Sequence, residues 1–162
     1  MKKITFLLLG SNLGDRKKNL STARKAIEVS VGTILKASSI YQTDAWGKKD
    51  QPDFLNQALE VQTALSAEDV LAEILKIEHT MGRTRDRHWG ERIIDIDILL
   101  FEKEMISSMA LKVPHPELAN RRFALEPLAE IGGDVTHPVL HITIQKMLAQ
   151  CPDLLEVRRI LD

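Results

Sequence analysis

Two aspartates and several arginines lie close together in the middle of this chain, in a pattern suited to binding phosphate. Asp95 and Asp97 are two residues apart, and four arginines lie between positions 83 and 92. Residues two apart on a β-strand project from one face, roughly 6.6 Å apart along its axis. Such carboxylates can bind Mg²⁺ together with phosphate oxygens, and arginines bind phosphate through paired hydrogen bonds. The pattern favours a nucleotide phosphate-transfer site.

The same residues also have simpler interpretations. Two aspartates on one strand face are often only a solvated edge, and arginine-rich loops usually face solvent. The segment after Asp95 is rich in isoleucine, which favours a central strand. An unpaired carboxylate there is costly to desolvate unless a cation lies nearby, so we expect Asp95 and Asp97 to bind a cation.

Hydrophobic periodicity and turn residues predict the elements that would position this site. Strict alternation between positions 94 and 101 predicts a strand with Ile94, Ile96, Ile98 and Leu100 on one face and Asp95, Asp97, Leu99 and Phe101 on the other. The remaining predicted elements are strands at 4–9, 33–43 and 54–63, helices at 15–28, 66–82, 117–131 and 142–149, and a hairpin at 102–104. Asp15 and Ser66 are the predicted N-caps of the first two helices. The predicted apolar stripes are Leu20, Ala23 and Ile27 on the first helix and Val70, Leu71, Ile74, Leu75 and Ile77 on the second. The order βαββαβ predicts an α+β, ferredoxin-like antiparallel sheet with helices on one face and a C-terminal helical extension.

Composition sets the broad class of the protein. The 162 residues carry a formal net charge of −1, and we expect one domain over 1–162 that has no nucleic-acid or membrane partner. A single cysteine, Cys151, cannot form an internal disulfide and is expected to be a small core residue. The apolar run at the start of the chain ends at Leu9, which predicts a first strand and not a signal peptide. We expect a cytoplasmic monomer.

The strand at 54–63 presents a second group of interest. Phe54 and Asn56 lie on the face opposite Leu55, Leu59 and Val61. An aromatic ring and a carboxamide side by side could stack on a heterocycle and bond its edge. A half-buried edge face is the alternative.

Seven short motifs, in this order along the chain, carry a resemblance to a known family. They are Gly10-Ser-Asn-Leu-Gly14, Tyr41-x-Thr43, Asp50-Gln-Pro-x-Phe-Leu-Asn56, Gly82-Arg-x-Arg85, Trp89-Gly-x-Arg-x-x-Asp-x-Asp97, Val113-Pro-His-Pro116 and Arg121-x-Phe123. Together they resemble the 6-hydroxymethyl-7,8-dihydropterin pyrophosphokinases of folate biosynthesis. The resemblance implies transfer of pyrophosphate from ATP to the hydroxymethyl group of the pterin, with AMP released.

The resemblance also implies a role for individual residues. Asp95 and Asp97 would bind two Mg²⁺ ions, and Arg83 and Arg92 would stabilise the charge that develops in transfer. The residues implied at or near ATP are Glu78, Arg85, Trp89, Ile98, His115 and Arg121. Those implied at the pterin are Thr43, Ala45, Trp46, Phe54, Asn56 and Phe123. Phe54 stands where the family often has tyrosine, and Leu75, Ala110 and Lys112 depart from polar or cationic positions of the family.

Two other functions fit parts of the pattern. A non-catalytic module could bind nucleic acid through the arginine loop, with His88 and Trp89 stacking on bases. Its binding would fall steeply with salt and need no Mg²⁺. A glycosyltransferase-like Asp-x-Asp metal site is the other alternative, but that architecture normally needs a larger nucleotide-binding domain.

Overall fold

An antiparallel sheet forms the centre of the protein. The computed structural model describes residues 2–43, 53–82 and 93–160. Six strands form the sheet in the order β5-β1-β4-β3-β8, with β2 also paired to β4. The elements are β1 Lys3–Ser11, α1 Arg16–Ser30, β2 Thr33–Ala37, β3 Tyr41–Thr43, β4 Phe54–Thr63, α2 Ala67–Thr80, β5 Asp95–Phe101, β6 Ile106–Ser107, β7 Lys112–Val113, α3 Arg122–Gly132, α4 Ile144–Gln150 and β8 Val157–Arg159. The expected α+β fold with an antiparallel sheet is confirmed.

The first two helices cover one face of the sheet. Helix α1 begins after Asp15, whose side chain accepts a hydrogen bond from the Lys18 backbone N–H. Ser66 caps α2 in the same way, so both predicted N-caps are confirmed. The predicted core positions Leu20, Ala23 and Ile27 are fully buried. Leu75, by contrast, is 48% exposed and does not belong to the predicted apolar stripe of α2.

The last two helices, which form the expected C-terminal helical extension, cover the opposite face. Phe6 and Leu8 of β1 pack there with α3 and α4, while Leu7 and Leu9 face α1 and α2. Strand β1 is apolar on both faces because both are covered. Cys151 belongs to the second core, as expected. The protein therefore has three layers, with the sheet in the middle.

Two predicted elements are each divided in the structure. The single strand predicted at 33–43 is two strands, because the chain leaves the sheet at Ser38, whose hydroxyl accepts the backbone N–H of Ala58. The helix predicted at 117–131 begins only at Arg122 and follows a turn of 3₁₀ helix at Leu118–Asn120. Its end at Gly132 agrees with the prediction.

Strand β5 differs from its prediction in position and in register. It is last in the strand order and not central. Its pairing to β1 shifts by one residue between Ile98 and Leu100, which is a β-bulge. Leu100 therefore lies in the core of α3 and α4, and Phe101 returns to the core of α1 and α2. The sequence does not reveal this shift, because residues 98–101 are all apolar and each could lie on either face.

The chain after β5 also differs from the prediction. A turn does follow, with Glu102 at a φ of 49°, but the next strand, β6, pairs with β7 and not with β5. Near the C-terminus, β8 pairs antiparallel with β3, although no strand was predicted there. Among the described helices, none is both long and apolar enough to cross a lipid bilayer.

Candidate functional site

A cleft of about 140 Å³ opens where the sheet extends beyond the start of α3. Strands β1, β3, β4 and β5 supply its floor, and the first residues of α3 supply one wall. The lining residues are Leu8, Gly10, Thr43, Phe54, Asn56, Asp95, Asp97, Arg121, Phe123 and Leu155. Seven of the sequence-predicted site residues therefore meet in one place, although they come from four separate elements and the segment before α3.

Strand register explains how distant residues become neighbours. Gly10 of β1 pairs with Asn56 on one side and with Asp95 on the other. Two residues earlier, Leu8 pairs with Asp97 in the same way. Directly paired residues share a face of the sheet, so the carboxamide and the carboxylates all face the cleft. A side chain at Gly10 would not fit, because its Cβ would lie 2.7 Å from Asn56 Nδ2.

Two buried polar atoms in the cleft lack hydrogen-bond partners among the described residues. Asn56 is 4% exposed and Thr43 is 3% exposed. Asn56 Nδ2 donates to the Leu9 carbonyl at 3.2 Å, which leaves its Oδ1 as an acceptor. Within the described part of the chain, Asn56 Oδ1 and Thr43 Oγ1 have no partner. Unpaired buried polar atoms are rare and costly, so this edge of the cleft is suited to a polar ligand.

Positive charge lies beside the acidic pair. Arg121 lines the cleft with Asp95 and Asp97, and its guanidinium carbon is 5.6 Å from the centre of the Phe123 ring. His115 is near both charges. Burial lowers the pKa of His115, with Arg121 acting in the same direction, while Asp97 opposes the shift. An arginine, a neutral histidine and two carboxylates at one edge can bind an anion together with a cation.

The backbone fixes the tautomer of His115. Its Nδ1 accepts a hydrogen bond from the backbone N–H of Glu117 at 3.1 Å. An acceptor nitrogen carries no proton, so the neutral ring has its hydrogen on Nε2. His115 is also held by its own backbone N–H, which donates to the Leu99 carbonyl at 3.0 Å. The ring is thus prepared to donate from Nε2.

Two predicted nucleotide contacts lie on the other side of the sheet. Ile98 is 6% exposed and belongs to the core of α1 and α2. Glu78 is 5% exposed, and its carboxylate accepts a hydrogen bond from the Ile96 backbone N–H. Their contacts with nucleotide stay predictions. Six other predicted site residues lie outside the described residues: Ala45, Trp46, Arg83, Arg85, Trp89 and Arg92.

Three lining residues were not predicted. Leu8 and Gly10 could have been found, because they share a strand face and Gly10 belongs to a glycine-bearing motif. Leu155 could not, because it lies in a tail without periodicity and reaches the cleft only through the pairing of β8 with β3.

The donor set of the cleft fits a hard divalent cation. Asp95 and Asp97 supply carboxylate oxygens, and Mg²⁺ commonly takes one or two carboxylates and completes its shell with water and phosphate. No group of three or more His, Cys, Asp or Glu side chains able to hold a metal occurs among residues 2–43, 53–82 and 93–160. This pair therefore suits a cation shared with a phosphate ligand better than a closed protein cage.

Comparison with known proteins agrees with this geometry. Residues 6–133 match the model of the family described as 7,8-dihydro-6-hydroxymethylpterin-pyrophosphokinase (HPPK). The chain belongs to this pyrophosphokinase family. It is 46% identical over 136 residues to the 2-amino-4-hydroxy-6-hydroxymethyldihydropteridine pyrophosphokinase of Bacillus subtilis, covering 83% of this chain and 81% of that protein. The enzyme of the same name from Aquifex aeolicus is 43% identical over 134 residues, covering 83% of each.

A solved structure supports the fold independently of close sequence similarity. The crystal structure of Plasmodium falciparum HPPK-DHPS with pteroate superposes with a TM-score of 0.77 over 93% of this chain and 42% of that chain, at 20% identity. The three-layer fold of this chain is therefore also present in that structure.

Proposed function

We propose that this protein transfers the pyrophosphoryl group of ATP to the hydroxymethyl group of 6-hydroxymethyl-7,8-dihydropterin, a step of folate biosynthesis. Membership of the pyrophosphokinase family supports this reaction. Because the nucleotide product is AMP, the new bond joins the hydroxymethyl oxygen to the β-phosphorus. The bond between that phosphorus and the α,β-bridging oxygen breaks, and the hydroxyl proton is lost.

One observation carries the pterin half of the proposal. Two polar atoms without a partner in the described part of the chain are buried in a cleft that also presents two aromatic rings. Phe54 and Phe123 line the cleft with Asn56 and Thr43. A pterin is flat and carries donors and acceptors along one edge, so it can lie on the rings and satisfy Asn56 Oδ1 and Thr43 Oγ1. The bond from Asn56 Nδ2 to Leu9 presents the amide oxygen to the ligand.

The acidic edge of the cleft would bind the triphosphate. Asp95 and Asp97 would hold Mg²⁺, which neutralises phosphate charge when bound; the family resemblance implies two ions. Arg121 would contact phosphate through its guanidinium, and neutral His115 would donate from Nε2 to a phosphate or ribose oxygen. These residues position charge and do not need to act as strong bases, as phosphoryl transfer requires.

The other predicted site residues complete the proposal. Arg83 and Arg92 would stabilise charge in the transition state, and Arg85 and Trp89 would contact the nucleotide. Ala45 and Trp46 would bond the pterin edge through their backbone. Glu78 and Ile98 would lie beneath the nucleotide on the opposite side of β5.

We further propose that the protein acts as a cytoplasmic monomer without a nucleic-acid partner. Carboxylates line the described cleft beside Arg121, and they would repel a polyanion that brings no metal. Binding that weakens steeply with salt and persists in a chelator would favour the nucleic-acid module instead.

The deciding experiment is to incubate the protein with ATP, Mg²⁺ and hydroxymethyl-dihydropterin and to identify the nucleotide product. AMP that forms only when the pterin is present supports the proposal. ADP as the product, or no turnover with the pterin present, contradicts it. A parallel reaction with excess chelator tests the requirement for a divalent cation, since it should produce no AMP.

A further inference from the structure

Glu78 connects helix α2 to the centre of the acidic pair. It lies in the last turn of α2 and is 5% exposed. Its Oε2 accepts a hydrogen bond from the Ile96 backbone N–H at 2.8 Å. Ile96 is the residue between Asp95 and Asp97. The bond therefore fixes the backbone from which both cleft carboxylates project.

The position of β5 in the sheet explains why such a bond is needed. In the described sheet β5 is last in the order and pairs with β1. In a strand at the end of a sheet, alternate N–H groups point away from the partner strand. A buried N–H without an acceptor costs about 1–3 kcal/mol. At Ile96, the Glu78 carboxylate takes the place of a neighbouring strand.

The side chain of Ile96 helps to fix the face of β5 from which the two aspartates project. It is 5% exposed and packs in the core of α1 and α2, while Asp95 and Asp97 line the cleft on the other face. The residue is thus held at its side chain by packing and at its N–H by Glu78. Rotation of the strand that would turn the aspartates away from the cleft must break both contacts.

We propose that Glu78 is a positioning residue for the metal-binding pair, which it acts on through the Ile96 backbone. This inference rests on the proposed function, in which Asp95 and Asp97 hold a divalent cation. At the Ile96 N–H, Glu78 supplies a hydrogen-bond acceptor at a fixed place. An uncharged acceptor of the same length should therefore serve nearly as well.

Two substitutions of Glu78 separate the effect of its hydrogen-bond acceptor from the effect of its negative charge. Glu78→Gln keeps an acceptor oxygen and removes the charge, whereas Glu78→Met keeps the length of the side chain and has only a weak acceptor. Glu73→Gln and Glu73→Met are the matched controls, because Glu73 lies on the same helix and pairs with Lys76. The readouts are hydrogen exchange of the Ile96 amide by NMR and Mn²⁺ affinity with the α,β-methylene analogue of ATP. This analogue cannot be cleaved at the bond that the reaction breaks.

We expect Glu78→Met to speed exchange of the Ile96 amide by at least tenfold and to weaken Mn²⁺ binding by about tenfold. Glu78→Gln and both Glu73 variants should stay within about threefold of the wild type in both measurements. The inference is wrong if Glu78→Met leaves either quantity unchanged. It is also wrong if Glu78→Gln protects the Ile96 amide but binds Mn²⁺ as weakly as Glu78→Met, since charge and not placement would then matter.

The wild-type protein supplies the remaining control. Failure of the wild type to bind Mn²⁺ with the analogue would contradict the proposed function and, with it, the inference. If Glu78→Met does not fold, the inference is tested instead by a Mg²⁺ titration of the wild-type protein, followed by NMR. The Ile96 amide resonance must then shift with the same midpoint as binding, and a resonance that does not move overturns the inference.

Discussion

Under the proposed function, Thr43 and Asn56 prepare the cleft for the pterin at a cost to the stability of the ligand-free protein. Both side chains are buried, and one oxygen of each lacks a partner within the described residues. Gly10 permits this arrangement because any larger residue would displace the Asn56 amide. Residues that are costly in the free protein and useful in the complex are expected at binding sites.

Thr43→Val tests this exchange between stability and binding. Valine has nearly the same shape and keeps the β-branched character that suits β3, but it removes the hydroxyl, which has no partner within residues 2–43, 53–82 and 93–160. We expect the free protein to become more stable by about 1 kcal/mol and pterin affinity to fall about five- to tenfold. Chemical denaturation and calorimetric titration measure the two quantities. A variant that loses stability and keeps pterin affinity would contradict this role.

Asp97→Asn tests the acidic pair. Removal of one charge from the cation site should lower the rate of AMP formation by about 10²-fold or more, while the melting temperature changes little because Asp97 is only partly buried. Asp134→Asn, at an exposed aspartate after α3, is the control and should retain the wild-type rate. An Asp97→Asn enzyme of normal rate would refute the metal assignment.

At the scale of elements, the turn between α3 and α4 depends on a neutral histidine. His137 is 6% exposed, and its Nδ1 accepts hydrogen bonds from the backbone N–H groups of Val139 and Leu140. Burial lowers the pKa of His137, and the nearby His141 acts in the same direction. The folded protein therefore binds this proton less tightly than the unfolded chain does.

A pH-dependent loss of stability follows from that lowered pKa. The stability that neutral His137 contributes is complete above the unfolded pKa of about 6.5 and falls as the pH drops below it, by up to about 1.4 kcal/mol per pH unit. His137→Asn should reduce this dependence between pH 8 and pH 5 in denaturant titrations. His79→Asn, at an exposed histidine in the last turn of α2, is the control. Identical pH dependence in His137→Asn and wild type would contradict the prediction.

Elements with a strong local signal were predicted best. Asp15 and Ser66 begin the first two helices as expected, and β4 has the predicted bounds Phe54–Thr63. The bulge in β5 was not predictable, because swapping the faces of neighbouring apolar residues leaves the hydrophobic pattern unchanged. The sequence also could not show whether β5 is an edge strand or a central strand, because helices bury β5 as thoroughly as they would bury a central strand.

At the scale of the whole molecule, the C-terminal tail supports the functional site. Asp153 Oδ2 accepts the backbone N–H of Arg122, the first residue of α3, at 3.1 Å. The Asp153 carbonyl also accepts the Arg122 side chain. Arg121 and Phe123, on either side of this residue, line the cleft, and so does Leu155. The tail thus holds one wall of the site.

Asp153→Ala should show this long-range support. Loss of an acceptor at a helix N-terminus costs about 1 kcal/mol of stability, and we expect pterin affinity to fall a few-fold because Phe123 loses its fixed backbone. Glu156→Ala is the matched control, since Glu156 is in the same tail and its side chain is 71% exposed. Titration calorimetry and thermal unfolding measure both effects. Equal pterin affinity in the two variants would contradict this role of the tail.

The carboxylate pair, the ring and amide on β4, the helix starts and the family could be recognised from the amino-acid sequence. These features depend on residue types and short spacings, which local physics converts directly into faces, caps and turns. The tertiary structure alone decided that helices cover both faces, that β5 is at the end of the sheet, and that Glu78 and Asp153 support the site from a distance. Such contacts join residues far apart in the chain, and they arise only when strand register and helix packing bring those residues together.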